Sequence, residues 1–308
     1  MSARTPHARL LAVAAALATG SLVLTGCGSS GSSSSSSGAS SAAAIATPSA
    51  VASLAAMVPA DVKSSGKLVV GTDASYAPNE FKDDSGKIQG MDIDLAAAIA
   101  AKLGLTTDVQ DSKFTAIIPG IQANKYQLGM SSFTDSKDRE ATVDMVTYFT
   151  AGTGTAVKKG NPQKIDANDL CGKKVAVQTG TTQADEITNT LNPACVKAGK
   201  PTIPNNGDKF DLQTDVTNAV VAGRDDAMLA DSPVVDYAVK TSGQLDRIGT
   251  VTDSAPYGVV VAKGSALTPA VQGAVQSLID DGTYKQILQK WGVEAGAINK
   301  SVVNGAVS

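Results

Sequence analysis

KLVVGTDASYAPNEFKDDSGKIQGMDIDLAAAIAAKLG, residues 67–104, opens on an apolar strand and closes on an amphipathic helix. Leu68, Val69 and Val70 ahead of Gly71 and Thr72 make a short apolar run bounded by turn residues, which predicts a first strand. Asp73, Ser75 and Tyr76 follow it, where the carboxyl end of a strand opens into a crevice. Within residues 90–104, Leu95, Ile99 and Leu103 recur at helical spacing, Asp92 and Asp94 stand near the start, and Gly104 ends the element. Working outward, residues 106–110 predict a second strand, and FTAIIPGIQANKYQLGM at 114–130 predicts a second helix and a third strand. The order β, α, β, α, β predicts an α/β fold with an open sheet that takes ligands along its carboxyl edge.

The chain of 308 residues is too long for one ordinary core and predicts two lobes after an N-terminal tail. Arg4 and Arg9 flank the start, an apolar stretch runs from Leu10 to Leu24, and Leu24-Thr25-Gly26-Cys27 follows. This resembles a bacterial lipoprotein signal, which implies a cut after residue 26 and acylation of Cys27, anchoring the protein on the extracytoplasmic face of the membrane. Residues 27–60 are rich in Ser, Gly and Ala and predict a flexible tether with a reach of about 30 Å. Beyond the leader no apolar run approaches the ~18 residues of a membrane span.

Without residues 1–26 the chain keeps 24 basic against 29 acidic residues, a formal charge of −5. No segment supplies the clustered basic face that nucleic acid requires. The sole histidine, His7, lies in the leader, so the remainder lacks Ser-His-Asp and Cys-His nucleophile systems and any His-ligated metal site. Neither metal nor cofactor is expected. Cys171 and Cys195, an even pair in an exported chain, predict a disulfide.

The chemistry concentrates in GMSSFTDSKDRE, residues 129–140. Ser131, Ser132 and Thr134 offer donors, and Arg139 offers a planar fork suited to a carboxylate. A plainer reading makes this a loop entering a helix, with Thr134 or Ser136 as N-cap and Arg139 as a solvated charge. An acid is the expected guest.

Six motifs in register, TDASYAPNEF, GMDIDLAAAIA, FTAIIPG, SSFTDSKDRE, VAVQTGTTQ and DGTYKQILQKWG, span residues 67–293. They resemble family 3 of the bacterial extracellular solute-binding proteins, the amino-acid receptors of ABC importers. The resemblance implies the two-lobed type 2 periplasmic-binding-protein fold, with lobe 1 at 61–153 and 255–308 and lobe 2 at 154–254. It places the crossings at residues 150–156, whose glycines could absorb rotation, and near 254–258. It also implies a monomer that takes up a free amino acid and delivers it to a membrane permease.

By the same resemblance Arg139 is the carboxylate-binding arginine, and Ser131, Ser132 and Thr134 stand among the donors around it. Thr182 answers from the lobe 2 helix, where capping with Asp185 is the alternative, and Asp231 accepts from the ammonium, with N-capping as its alternative. Asp73, Tyr76 and Phe114 surround the ligand side chain, and Gln178 faces it. Asn79 departs from the aromatic usual at that position. Asp73 suits lysine, arginine, histidine or glutamine, so a polar amino acid is expected. A sensor accessory and an enzyme, with Glu80 or Asp73 as acid or base, are the competing readings.

Overall fold

The computed structural model describes residues 45–307; the leader, Cys27 and the start of the tether lie outside the described residues. The first part of the chain forms α1 (Ala52–Met57), α2 (Ala60–Ser65), β1 (Lys67–Thr72), β2 (Ser75–Tyr76), β3 (Glu80–Lys82), β4 (Ile88–Gln89), α3 (Met91–Lys102), β5 (Thr106–Asp111), α4 (Phe114–Gln122), β6 (Leu128–Gly129) and α5 (Lys137–Glu140). Then come β7 (Val143–Lys158), β8 (Val175–Gln178), α6 (Thr182–Glu186), α7 (Asn192–Lys197), β9 (Asp208–Phe210), α8 (Gln213–Val221), β10 (Ala227–Asp231) and α9 (Ser232–Ser242). Strand β11 (Leu245–Ala262) and helices α10 (Thr268–Asp280) and α11 (Thr283–Trp291) finish the body.

Among the described residues, eight strands form one sheet in the order β5-β1-β6-β11-β7-β10-β8-β9, and β2, β3 and β4 form a small second sheet. The fold is the expected two-lobed α/β arrangement. Strands β7 and β11 belong to both lobes: β7 residues 143–151 pair with β11 residues 255–262 in one lobe, and residues 155–158 pair with β11 residues 245–248 in the other. Register shifts in β11 between Ile248 and Thr252, Thr252 and Ala255, and Tyr257 and Gly258 mark the passage between them. Gly152 serves close approach there, because a Cβ at this position would stand 2.3 Å from the Thr252 carbonyl oxygen.

The first lobe buries Leu95 and Ile99 of α3 and Leu103 at its C-cap, as their spacing predicts, against α10, α11 and the sheet. Tyr284, Ile287 and Leu288 of α11 join that core, while Trp291 is partly buried and its indole N–H donates to Asp94 at 2.7 Å. Gly282, at φ 82°, occupies the cap position before α11, and Thr283 is the first helical residue. In the second lobe Val175, Val177, Ile187 and Leu229 pack on one face of the sheet and Val216, Val220, Met228 and Val235 on the other.

Two stretches differ from the sequence reading. The expected tether reaches residue 60, yet α1 and α2 fold back on the first lobe: the Val51 N–H donates to the Lys102 carbonyl at 2.9 Å, and Val58 and Val62 enter its core. Alanine is the strongest helix former, so an Ala-rich stretch carrying Val51, Leu54 and Val58 on one side need not behave as a Ser/Gly chain does. The lobe 2 helix that carries Thr182 does not stop with α6 but continues through a wider π turn at Ile187–Leu191 into α7, ending at Lys197. Helix α7 carries Cys195, which is disulfide-bonded to Cys171.

Where β11 changes register, Asp253 adopts φ 49° and lies against Glu186 of α6. Burial first, and the charge of Asp253 second, push the Glu186 carboxyl up to about 7. A carboxyl raised on folding makes the native state hold more protons than the unfolded chain, so its contribution is full below the ordinary value of 4.5 and fades as pH rises towards 7. Melting temperature followed across that window should fall less steeply in Glu186→Gln than in the parent chain. For the disulfide, alkylation without reductant followed by mass spectrometry should leave both cysteines unlabelled, and replacing both by serine should cost about 3 kcal/mol in urea unfolding.

Candidate functional site

Four strands end at one cleft. Strand β1 delivers Asp73 just past its last residue, β6 leads into Ser131, Ser132 and Thr134, β8 ends on Gln178, and β10 ends on Asp231. Helix N-termini add Phe114 of α4 and Thr182 of α6, while the one-turn α5 carries Arg139. Asp73, Tyr76, Phe114, Ser131, Ser132, Thr134, Arg139, Gln178, Thr182 and Asp231 all line one cavity between the lobes. Thr181 and Gln183 line it as well.

The walls meet closely, leaving room at the centre for about one water molecule. The Tyr76 hydroxyl donates to Asp231 Oδ2 at 2.9 Å and accepts from the Asp231 N–H at 3.1 Å. Gln178 Nε2 donates to Asp73 Oδ2 at 2.9 Å. Arg139 Nη2 donates to the Gly180 carbonyl at 3.2 Å, and the Thr134 and Thr182 hydroxyls lie 3.5 Å apart. At the rim Lys113 pairs with Asp211 at 2.6 Å, both largely exposed, a contact of small energetic weight.

Arg139 is held from several sides. Its Nη1 donates to the Thr134 carbonyl at 2.8 Å, and its guanidinium carbon sits 5.6 Å from the Phe114 ring centre and 5.3 Å from that of Phe133. Those two rings stack at 4.4 Å, so the cation rests against an aromatic platform. Ser136 is the N-cap of α5, as one of the two sequence alternatives has it, accepting from the Arg139 N–H at 3.4 Å. Burial lowers the Arg139 pKa from the ordinary guanidinium value, with Asp231 and Asp185 opposing; the group stays cationic.

The acids are buried. Asp231 stands at the N-cap position of α9 but makes no side-chain cap bond; its carboxylate turns into the cavity, accepting from Tyr76 and from Gln183 Nε2 at 2.9 Å. Asp73 accepts from the Ser75 hydroxyl at 2.6 Å, from the Phe114 N–H at 3.0 Å at the start of α4, and from Gln178. Desolvation raises both carboxyls above the ordinary aspartate range.

On α6 the capping residue is Thr181, whose hydroxyl accepts from the Ala184 N–H at 3.3 Å. Thr182, the candidate cap from the sequence, is the first helical residue, and its hydroxyl is left free to face Thr134. Gln183 was not singled out by sequence reasoning, although it closes the VAVQTGTTQ motif. Asn79 does not line the cavity; it is buried below and donates to the Ser132 hydroxyl at 2.8 Å.

Tyr76→Phe tests how far this closed network stabilises the fold. It should leave a buried Asp231 oxygen short of one donor, lowering stability to urea by about 1–3 kcal/mol while far-ultraviolet dichroism stays unchanged.

Residues 68–294 match the model of the bacterial extracellular solute-binding proteins, family 3. The chain is 34% identical to the arginine-binding protein ArgT of Corynebacterium glutamicum over 83% of its own length and 84% of the relative's. Among solved structures, an ancestral arginine-binding protein bound to arginine superposes with a TM-score of 0.66 at 35% identity, covering 73% of this chain and 98% of that one. An ancestral amino-acid-binding protein described as a precursor of cyclohexadienyl dehydratase gives 0.67 at 34% identity, over 75% and 97%.

Proposed function

As the chain belongs to family 3 of the bacterial extracellular solute-binding proteins, we propose that it is the substrate-binding component of an ABC importer and that its guest is a cationic amino acid, arginine foremost. Charge balance in the cavity carries the choice. Its wall holds two carboxylates, Asp73 and Asp231, against one guanidinium, Arg139. The carboxylate and ammonium of a free amino acid match Arg139 and Asp231 one for one. Asp73 is then unmatched, and an uncompensated buried charge costs several kcal/mol. A guest with a positive side chain closes the balance; a neutral one does not.

In this reading the carboxylate takes the fork of Arg139 with hydroxyl donors from Thr134 and Thr182, Ser131 and Ser132 form the floor beneath it, and Tyr76 and Phe114 flank the side chain on its way to Asp73 and Gln178. The lobes, bounded near residues 153 and 254, open about β7 and β11 to admit the guest and close on it. Closing then follows from differential affinity: the guest takes over donors and acceptors that otherwise meet across the cleft. The closed form docks on a permease as a monomer, held at the extracytoplasmic membrane face through lipid on Cys27. Binding without chemical change is the activity, and the guest should be recovered unaltered.

Titration calorimetry across the twenty amino acids should find arginine tightest. Asp73→Asn should weaken arginine at least about tenfold and glutamine by less than about threefold. A neutral amino acid that binds tightest, or equal losses for both ligands, would overturn the charge argument. Arg139→Ala removes a charge-assisted bidentate partner and should cost every ligand ~2 kcal/mol or more. Cys27→Ser should release the protein from membranes into the soluble fraction.

A further inference from the structure

Below the cavity floor lie two acids that contact no part of its lumen directly. Glu80 of β3 and Asp92 of α3 are both fully buried. The two oxygens of Glu80 accept from the hydroxyls of Ser131 and Ser132, each at 3.2 Å. Asp92 Oδ2 accepts from the Ser132 N–H at 2.8 Å and the Tyr148 hydroxyl at 2.7 Å. Asp92 Oδ1 is buried with no donor among the described residues, and the two carboxyl groups lie within hydrogen-bonding reach of each other.

The charged groups that face the pair are Asp73 towards Glu80 and Asp231 towards Asp92, both acids, and the nearby phenols are Tyr76 and Tyr148. Among the described residues, the charged groups that bear most on the pair include no cation to offset two negative charges. Adjacent buried carboxylates cannot both ionise without a large penalty. A single proton on Glu80 removes one charge and supplies the donor that Asp92 Oδ1 lacks. Resting on the reading that this cavity binds an amino acid, we propose that Glu80 and Asp92 share one proton and act as positioning residues, fixing Ser131 and Ser132 for the guest.

Three features tie the pair to the cavity. Ser132 is held at φ 52°, a conformation uncommon for a residue with a side chain, by bonds from its N–H to Asp92 and from its hydroxyl to Glu80. The Ser131 hydroxyl accepts from the Asp73 N–H at 2.9 Å while donating to Glu80, so the acid pair also reaches the residue that selects the side chain. Burial pushes Glu80 well above the ordinary glutamate range and Asp92 up to about 6.

Infrared difference spectra of the whole protein near neutral pH, taken as parent minus Glu80→Gln so that Glu186 and the other acids cancel, should show a protonated-carboxyl band, and that band should shift in Asp92→Asn, where its acceptor is changed. Arginine affinity by calorimetry should stay within about threefold of the parent in Glu80→Gln, whose amide keeps a donor for Asp92 and a carbonyl acceptor for one serine. It should fall at least about tenfold in Glu80→Ala, where the two serine hydroxyls lose their acceptor. If Glu80→Ala does not fold, Glu80→Asp, one methylene shorter, carries the same expectation. A difference spectrum without that band, or a band that Asp92→Asn leaves unmoved, overturns the shared proton. Parent-like arginine binding in the alanine or aspartate variant overturns the positioning role. If the parent chain binds no arginine, the ligand reading fails, while the infrared band still decides the proton.

Discussion

The pairing of β7 with β11 is the constraint on which the rest of the molecule depends. Each strand runs from one lobe into the other, and their mutual hydrogen bonds continue through the passage with only local changes of register. The sheet is therefore common to both lobes, and the carboxyl ends of β1 and β6 on one side are brought to face those of β8 and β10 on the other. Each of those ends supplies a polar side chain to the cavity. Gly152 shows how tight the joint is: even a methyl group there would run into the opposing backbone. Any relative motion of the lobes has to be absorbed where β11 is irregular, because the paired stretches on either side are regular sheet.

The second organising fact is electrostatic. Asp73, Glu80, Asp92 and Asp231 are nearly or fully buried within one neighbourhood, and Arg139 is the cation among the cavity's lining residues. Such an arrangement is costly unless each acid is bonded, and the bonds come in layers. Tyr76 and Gln183 serve Asp231; Ser75, Gln178 and the start of α4 serve Asp73; serine hydroxyls and Tyr148 serve the deeper pair. The same serines that line the cavity are the donors to the acids below, which couples its floor to its foundation.

Much of this was legible in the sequence, for identifiable reasons. The strands and helices of the first lobe announce themselves through apolar periodicity and stop residues, and eleven of the twelve lining residues fall on the quoted motifs, with Asp231 outside them. What was hidden depends on tertiary context. Whether Thr181 or Thr182 caps α6 turns on one backbone conformation, and both residues satisfy the local rule. Asp231 looks like an N-cap and stands at that position, yet only the fold shows its carboxylate turned away from the helix. Glu80 enters the sequence reading as a candidate acid or base, and only the fold shows it buried beneath Ser131 and Ser132. The helices α1 and α2 were masked by composition, since alanine among serines dilutes the apolar stripe that packs on α10.

The closed cleft bears on selectivity in a way that a count of contacts does not. Asp73 and Asp231 already accept bonds from neutral donors, the amide of Gln178 and the hydroxyl of Tyr76. A guest gains only the difference between what it offers and what it displaces. An amide-bearing side chain would exchange one neutral donor at Asp73 for another, with little net gain. A guanidinium or ammonium exchanges a neutral donor for a charged one, and hydrogen bonds to ionised groups are roughly twice as strong. On the proposed reading, then, the protein's own Gln178 sets the threshold that a side chain must exceed at Asp73, and charge is the property that exceeds it.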